Sequence, residues 1–193
     1  MSIIDTPYKT EAELLKALEL AAPMIDEALA RRNFAPAQKQ LIALMRAGFS
    51  YADIFAISEE DRNAMLSVGV RLLKVGDTKR ARDVLYTLFQ MEPSDGRVLY
   101  ALAGCYQAQG NVATAAKLYI FFLAGDATNP HGYARLGECF MVAREYQNAR
   151  DAFKYSAIEA ERANAPRRVI DYARKMMAEA EGRLAEEFAS NPV

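Results

Sequence analysis

The chain has 193 residues, of which 52 % are hydrophobic, so a sizeable core can form. Its 24 Lys and Arg residues nearly balance its 25 Asp and Glu residues, so no basic excess favours nucleic acid and no polyanionic run favours a solvating tail. The first residues show no positive region followed by an apolar stretch, and the longest apolar run is far too short to span a bilayer. We therefore expect neither a secretory signal nor a transmembrane segment.

Residues 1–61 form an acidic segment, with six Lys or Arg residues against ten Asp or Glu residues. Thr10 and Glu13 have the spacing of a capping box, which predicts the start of a helix. Pro23 lies inside this helix and predicts a kink or a break. The apolar stripe of the helix has helical spacing and comprises Leu14, Leu15, Leu18, Ala22, Ile25 and Leu29.

A second helix is predicted from about Pro36 to Ala47, with Gly48 as its C-terminal stop. Residues 51–57 are apolar enough to pack rather than to lie free in solvent. Ser58 then precedes three acidic residues, a pattern that caps the start of a helix. This helix is expected to open the part of the chain that repeats.

A 34-residue period runs three times through the chain, over residues 62–95, 96–129 and 130–163. Small or apolar residues recur at equivalent positions: Val68, Leu102 and Leu136 at position 7; Ala81, Ala115 and Ala149 at position 20; Leu85, Tyr119 and Phe153 at position 24. This period and pattern are those of the tetratricopeptide helix–turn–helix repeat, which predicts an all-α repeat array. Such units bury their apolar faces by stacking, and the stack forms a concave surface.

The turns and the end of the array are marked by short polar or glycine-containing pairs. Position 15 is Gly76, Gly110 or Arg144, at the turn within each repeat. Pro166 suits the first turn of a final helix that is predicted to end near Ala189. We therefore expect three parts: an N-terminal helical segment (1–61), three repeats (62–163) and a C-terminal capping helix (164–193). The apolar stripe predicted for the cap is Val169, Tyr172, Ala173, Met176, Met177, Ala180 and Leu184.

No arrangement of residues indicates catalysis or a cofactor. His131 is the only histidine, and no cluster of Cys, His or carboxylate residues has metal-ligand spacing. Neither a G-x-x-x-x-G-K-[ST] nor a G-x-G-x-x-G motif is present. Cys105 and Cys139 share position 10 of successive repeats, about one helix-packing distance apart, so we expect two buried free thiols and no disulfide. The chain is expected to be neither an enzyme nor a metalloprotein.

The concave surface is the better candidate for function, because positions 2, 5, 9 and 12 of each repeat line it. These residues are Asn63, Leu66, Val70, Leu73, Arg97, Tyr100, Gly104, Gln107, His131, Ala134, Glu138 and Met141. The aliphatic first section can hold apolar side chains of a peptide, and Arg97, Gln107 and Glu138 can hold its polar groups. In an alternative interpretation, the aliphatic residues of the first repeat pack against the N-terminal segment.

The run from Tyr119 to Leu123 is unusually apolar. Tyr119, Phe122 and Leu123 can fill the one face that meets the next repeat, which leaves Ile120 or Phe121 without a place in the core. Either neighbouring extensions cover these two residues, or they belong to a surface for self-association or a partner.

Three stretches of the chain resemble the class II chaperones of bacterial type III secretion, which hold hydrophobic translocator proteins before export. They are Ile57-Ser-Glu-Glu-Asp61, Arg97-Val-Leu-Tyr-Ala-Leu-Ala-Gly-Cys-Tyr-Gln-Ala-Gln-Gly110, and Asn129-Pro-His together with Gly-Glu-Cys139. The similarity covers about residues 57–163. It implies a groove that binds an extended translocator segment through spaced Pro and Leu anchors. Family members often carry aromatic residues where this chain has Leu66, Val70 and Leu73.

The resemblance also implies that N-terminal helices make a homodimer contact, for which Leu14, Leu18, Ile25 and Leu29 are the candidates. From all of this we expect a cytoplasmic bacterial chaperone that keeps a hydrophobic translocator soluble until export, with no nucleotide. Two alternatives remain at this point. The first alternative is a scaffold that joins two folded proteins, and the second is a chaperone of a needle or filament subunit.

Overall fold

The computed structural model describes residues 2–4 and 34–190, together with scattered positions between 16 and 32. The described residues fold into helices and turns. They divide into two compact units. One unit is Asp5–Ile57, and the other joins Met1–Ile4 to Ser58–Val193.

In the first unit, helix α1 spans Pro36–Arg46 and helix α2 spans Tyr51–Ile54. The helix predicted from Pro36 is confirmed, with Gly48 at φ +91° just after its end. The backbone at Pro23 is helical. The predicted capping box at Thr10 and Glu13 lies outside the described residues. So do the candidate dimer residues Leu14, Leu18, Ile25 and Leu29.

The described part of the second unit forms seven helices, and successive helices pack against each other. Their bounds are α3 Glu59–Lys74, α4 Thr78–Met91, α5 Gly96–Ala108, α6 Val112–Gly125, α7 Pro130–Val142, α8 Tyr146–Arg162 and α9 Arg167–Ser190. Each helix contacts the next one along the chain, and α3 also contacts α5. The Ser58 hydroxyl accepts a hydrogen bond from the Asp61 backbone N–H, so the predicted cap of the first repeat helix is confirmed.

The turn within each repeat has the same backbone conformation in all three copies. Position 15 has a positive φ each time: +83° at Gly76, +78° at Gly110 and +60° at Arg144. Glycine adopts this left-handed conformation without a steric penalty, whereas arginine does so at a cost. The turns therefore lie where the sequence pattern predicted them, including the one that has no glycine.

Close packing within each repeat depends on a small residue at position 8. A Cβ atom added at Gly69 would lie 2.6 Å from Leu85 Cγ, and one added at Gly137 would lie 2.9 Å from the Phe153 ring. Leu85 and Phe153, both at position 24, are fully buried. The paired helices approach closely because glycine makes room for these large side chains. The alanines at position 20 are also fully buried, as the repeat pattern predicted.

The first repeat differs from the others on one face of its first helix. Val68 is 48 % exposed, while Leu102 and Leu136, at the same position 7, are buried. Helix α3 is the first helix of the array, so no earlier repeat packs against it. Position 7 is thus a core position only where a repeat precedes it.

Helix α9 packs along α8 and closes the array. It was predicted from Pro166 to about Ala189, and it spans Arg167–Ser190. Ala173 and Ala180 are fully buried, and Met176 and Met177 pack against the core. Tyr172 belongs to the predicted apolar stripe but is 41 % exposed, because it lies at the edge of the concave surface.

The apolar run in α6 has the orientation predicted from its spacing. Tyr119, Phe122 and Leu123 are buried, whereas Ile120 is 37 % and Phe121 is 67 % exposed. Both residues that had no place in the core therefore reach the surface. A role of this surface in self-association or partner binding stays a prediction.

Residues 2–4 contact the turn of the third repeat, and we call this contact the N-terminal clasp. The Glu145 carboxylate accepts hydrogen bonds from the Ser2 hydroxyl at 2.6 Å and from the Ile3 backbone N–H. Ile3 and Ile4 pack against the hydrophobic core. The equivalent residues Asp77 and Asn111 cap their own helices, whereas Glu145 makes no such cap and binds the N-terminal residues.

Candidate peptide-binding groove

Three neighbouring cavities form a groove on the concave side of the repeat array. Their volumes are about 420, 500 and 420 Å³. Tyr100 lines all three, and each pair of cavities shares at least one further residue: Val70, Arg135 or His131. The ring of Tyr100 is held edge-on against Tyr119 and Phe122, with centroid distances of 5.6 and 5.2 Å. The cavities are therefore continuous, and Tyr100 lies where they meet.

The section near the first repeat is mainly apolar. Leu66, Val70 and Leu73 are half-buried, since one side of each packs on the core and the other faces the groove. A Cβ atom added at Gly104 would lie 3.3 Å from Leu73 Cδ2, so the missing side chain keeps this section open. Such a surface suits apolar side chains of an extended ligand.

A hydrogen-bonded network forms the polar section of the groove. The Glu138 carboxylate accepts bonds from Gln107 at 2.7 Å, from Arg135 at 2.9 Å and from the Tyr172 hydroxyl at 2.6 Å. The Tyr119 hydroxyl donates to Gln107 at 2.9 Å. The network connects four helices, α5, α6, α7 and α9. The sequence analysis assigned Gln107 and Glu138 to the polar groups of a bound peptide. In the structure, both side chains are hydrogen-bonded to other residues of the groove wall.

Arg97 is engaged in a similar way. Its guanidinium donates to Asp95 at 2.7 and 3.0 Å and to Asn63 at 3.0 Å. The bond from Arg97 lowers the pKa of the Asp95 carboxyl, so this pair is ionised at neutral pH. Arg97 still lines the groove beside Leu66, with its polar edge facing the first repeat.

The charge states of the network are fixed at neutral pH. Burial opposes the charge on Arg135, but the Glu138 carboxylate and a hydrogen bond with Tyr100 together outweigh it and raise the pKa of the guanidinium. Burial also raises the pKa of the Tyr172 hydroxyl, as does its bond to Glu138. Burial raises the pKa of Tyr119 as well. Arg135 therefore stays charged, and both tyrosines stay neutral donors.

Ten of the twelve residues predicted for the groove line its cavities. They are Leu66, Val70, Leu73, Arg97, Tyr100, Gly104, Gln107, His131, Ala134 and Glu138. Asn63 lies beside the groove as the hydrogen-bond partner of Arg97. Met141 is half-buried and packs against the hydrophobic core. These placements describe geometry, and ligand binding by these residues remains a prediction.

Sequence reasoning missed the contribution of α9. Arg168, Val169 and Tyr172 line the cavity at the far end of the groove, opposite Ala134 and Glu138. A signal for this was present in the period. Extending it by one more unit from residue 164 places Arg168 at position 5 and Tyr172 at position 9, both groove positions. The bond from Tyr172 to Glu138 joins residues 34 apart, as the bond from Arg97 to Asn63 does.

The described part of the chain contains neither a metal-binding cluster nor a disulfide. Among those residues, no group of three or more His, Cys, Asp or Glu side chains could hold a metal ion. Cys105 and Cys139 are buried and free, as predicted, and burial raises the pKa of their thiols to about 11 and about 12. Within the same residues, no helix combines the length and apolar content needed to cross a membrane.

Comparison with protein families gives a match to the tetratricopeptide repeat over residues 72–120. No curated protein matches the sequence.

Solved structures match the fold over most of their own length. A type III secretion complex from Aeromonas hydrophila aligns with a TM-score of 0.69 and 19 % identity, over 76 % of this chain and 98 % of that chain. SycD of Yersinia enterocolitica, a type III secretion chaperone in complex with a peptide of the translocator YopD, aligns with a TM-score of 0.61 and 20 % identity, over 65 % and 95 %. The Sgt2 tetratricopeptide domain of Aspergillus fumigatus aligns with a TM-score of 0.60 and 19 % identity, over 70 % and 87 %. The chain therefore has the all-α tetratricopeptide fold, and it is similar in fold to type III secretion chaperones.

Proposed function

We propose that this protein is a cytoplasmic chaperone of a bacterial type III secretion system. It binds a hydrophobic translocator protein and keeps it soluble and competent for export. The observation that carries the proposal is the continuous groove, which is apolar at Leu66, Val70 and Leu73 and polar towards α9. Its support is the likeness in fold to a translocator chaperone that was solved with a translocator peptide.

The proposed mechanism is binding without a catalytic step. An extended segment of the client enters the groove and buries its Leu or Pro side chains between Val70, Leu73 and Gly104. Burying one such side chain contributes about 1.5–3 kcal/mol. Polar backbone groups of the segment meet the groove wall around Gln107 and Glu138. The client's aggregation-prone surface is then covered until the export machinery competes for it, and no nucleotide takes part.

Dimerisation through the N-terminal segment is part of the same proposal. Its candidate contacts are Leu14, Leu18, Ile25 and Leu29, whose helical spacing gives one apolar stripe. Sedimentation of the purified protein, compared with a variant in which Leu18 and Ile25 become Asp, tests this part separately. A parent protein that is monomeric at micromolar concentration would contradict it.

Co-expression tests the main proposal. The protein is produced with each translocator candidate encoded beside its gene, and the soluble fraction of each candidate is measured with and without it. One candidate is expected to be soluble only in its presence, and Leu73→Glu is expected to abolish this effect while leaving the helical content intact. A client that remains equally soluble with Leu73→Glu would contradict the groove assignment.

A scaffold that joins two folded proteins is the second candidate. Two observations favour a scaffold: the comparable likeness in fold to the Sgt2 domain and the exposed side chain of Phe121. A partner that is soluble by itself and binds through Phe121 would support the scaffold. A partner that needs the groove for its solubility would support the chaperone. A bound structure also separates an extended translocator segment from the helix of a needle or filament subunit.

A further inference from the structure

The cavity between α7 and α9 differs from the rest of the groove in its charge. Two arginines, Arg135 and Arg168, line it together with one carboxylate, Glu138. The remaining polar side chains of the lining are Tyr100, Tyr172 and His131, none of which is a carboxylate. The cavity therefore has an excess of positive charge, although the whole chain carries a net charge of −1.

The single carboxylate is already satisfied by the protein itself. Glu138 accepts bonds from Gln107, Arg135 and Tyr172, so both of its oxygens are occupied. Arg168 is exposed at the cavity and makes no ion pair with any residue that the structure describes. The guanidinium that remains available faces open space rather than the Glu138 network.

We propose that this cavity binds an acidic side chain of the client segment, an inference that rests on the proposed function. A guanidinium binds a carboxylate through two parallel N–H bonds, and Arg168 is placed to do so beside Arg135. The apolar anchors of the same segment lie towards Leu66 and Leu73, at the opposite end of the groove. The client segment therefore binds in one orientation, with its apolar side chains towards the first repeat and its carboxylate towards α9.

Arg167 provides a matched control for this proposal. It is the neighbouring residue on the same helix and carries the same charge, but it lies 3.7 Å from Asp171 and its side chain is 91 % exposed. Arg167→Glu therefore changes the net charge of the protein by the same amount as Arg168→Glu. Only the Arg168 variant changes the charge that faces the cavity.

The experiment selects binders from a displayed library of random 12-residue peptides on the full-length parent protein, Arg168→Glu and Arg167→Glu. The parent and Arg167→Glu are expected to enrich peptides with apolar residues followed or preceded at fixed spacing by Asp or Glu. Arg168→Glu is expected to enrich Lys or Arg at that site. For one selected peptide, replacing its acidic residue by the amide should weaken binding to the parent about three- to tenfold, since the pair is partly exposed. Arg168→Glu should reverse this preference and bind the amide form more tightly, because its carboxylate repels the acidic peptide.

The outcomes separate this inference from the proposed function. Enrichment of apolar residues without an acidic one, or the same acidic preference in Arg168→Glu, would overturn the inference alone. Failure of the parent to enrich any peptide would overturn both. Circular dichroism checks the folding of each variant, and Arg168→Gln replaces Arg168→Glu if the latter loses helix. With Arg168→Gln, the preference for the acidic peptide over its amide should disappear.

Discussion

Filling the space above Gly104 tests the groove most sharply within the repeat array. Gly104→Leu introduces a branched side chain into the 500 Å³ cavity lined by Val70, Leu73 and Tyr100. The added Cβ lies 3.3 Å from Leu73 Cδ2, the end of a flexible, half-buried side chain that can move aside. The backbone at Gly104 is ordinary helix, so leucine is compatible with it. We therefore expect the variant to fold.

The expected loss of affinity follows from the side chain that the leucine displaces. An apolar anchor of the ligand that is no longer buried loses about 1.5–3 kcal/mol. Each 1.4 kcal/mol corresponds to a factor of ten, so Kd should rise roughly 10- to 100-fold. Gly104→Ala is the control, because it adds only the Cβ and should leave Kd nearly unchanged. Fluorescence anisotropy with a labelled client segment measures both.

A folded Gly104→Leu variant that binds the client segment as tightly as the parent would contradict binding in this cavity. Binding would then occur elsewhere on the surface. An equal loss of affinity in Gly104→Ala would also count against it, since one methyl group does not occupy the cavity. Thermal unfolding accompanies each measurement to exclude loss of structure.

Three further predictions follow from packing and charge. Gly137→Ala should lower Tm by up to roughly 8 °C, because its methyl group meets the buried Phe153 ring at 2.9 Å. Overpacking costs about 1–3 kcal/mol and the gain in helix propensity is about 1 kcal/mol, so the net loss of stability is up to about 2 kcal/mol. Burial raises the pKa of Glu145, but bonds from the N-terminal clasp and from a neighbouring amide outweigh this effect, and the pKa is lowered overall. The clasp is therefore present at neutral pH and is lost as the pH falls through that lowered pKa. The NMR chemical shift of the Ile3 backbone amide should titrate with this pKa, and should not titrate in Glu145→Gln. Cys105 and Cys139 should resist a thiol reagent at pH 8 in the native protein and react with it in denaturant, because burial raises the pKa of their thiols to about 11 and about 12. Rapid labelling of the native protein would contradict the burial of these two thiols.

The period and its small residues were sufficient to predict the repeat array. Alanine at position 20 permits close helix contact and position 15 marks the turn, so their recurrence every 34 residues predicts where helices pair and turn. The prediction succeeded even at Arg144, which adopts a glycine-like conformation because the flanking helices determine the turn. The boundary at Ser58 was also readable, since its cap is a local hydrogen bond.

The site was only partly readable, because several of its features depend on how helices cross. The positions of Leu66, Val70 and Leu73 followed from the repeat alone. The bonding of Glu138 to two other helices did not, because hydrogen-bond partners are set by distances between elements and not by spacing along one of them. For the same reason, the sequence analysis assigned Glu138 to a ligand, whereas in the structure its carboxylate is hydrogen-bonded within the groove wall.

The N-terminal clasp forms where one residue departs from the repeat pattern, and this departure is visible in the sequence. Position 16 is Asp77 and Asn111 in the first two repeats, whose short side chains reach their own helix backbone. Glu145 has one more methylene, and its carboxylate accepts bonds from residues 2–4 and from the Asn148 side chain instead of from its helix backbone. A change from a capping residue to a longer one at an equivalent position is a signal that the side chain has another partner.

Site-specific photo-crosslinking measures directly whether the client lies in the groove. A photoreactive amino acid replaces Val70 or His131 inside the groove, and Phe121 outside it, and each protein is irradiated with the co-expressed client. We expect crosslinks from both groove positions to one short segment of the client, with apolar residues near Val70, and none from Phe121. Crosslinks that form from Phe121 and are absent from the groove positions would contradict it.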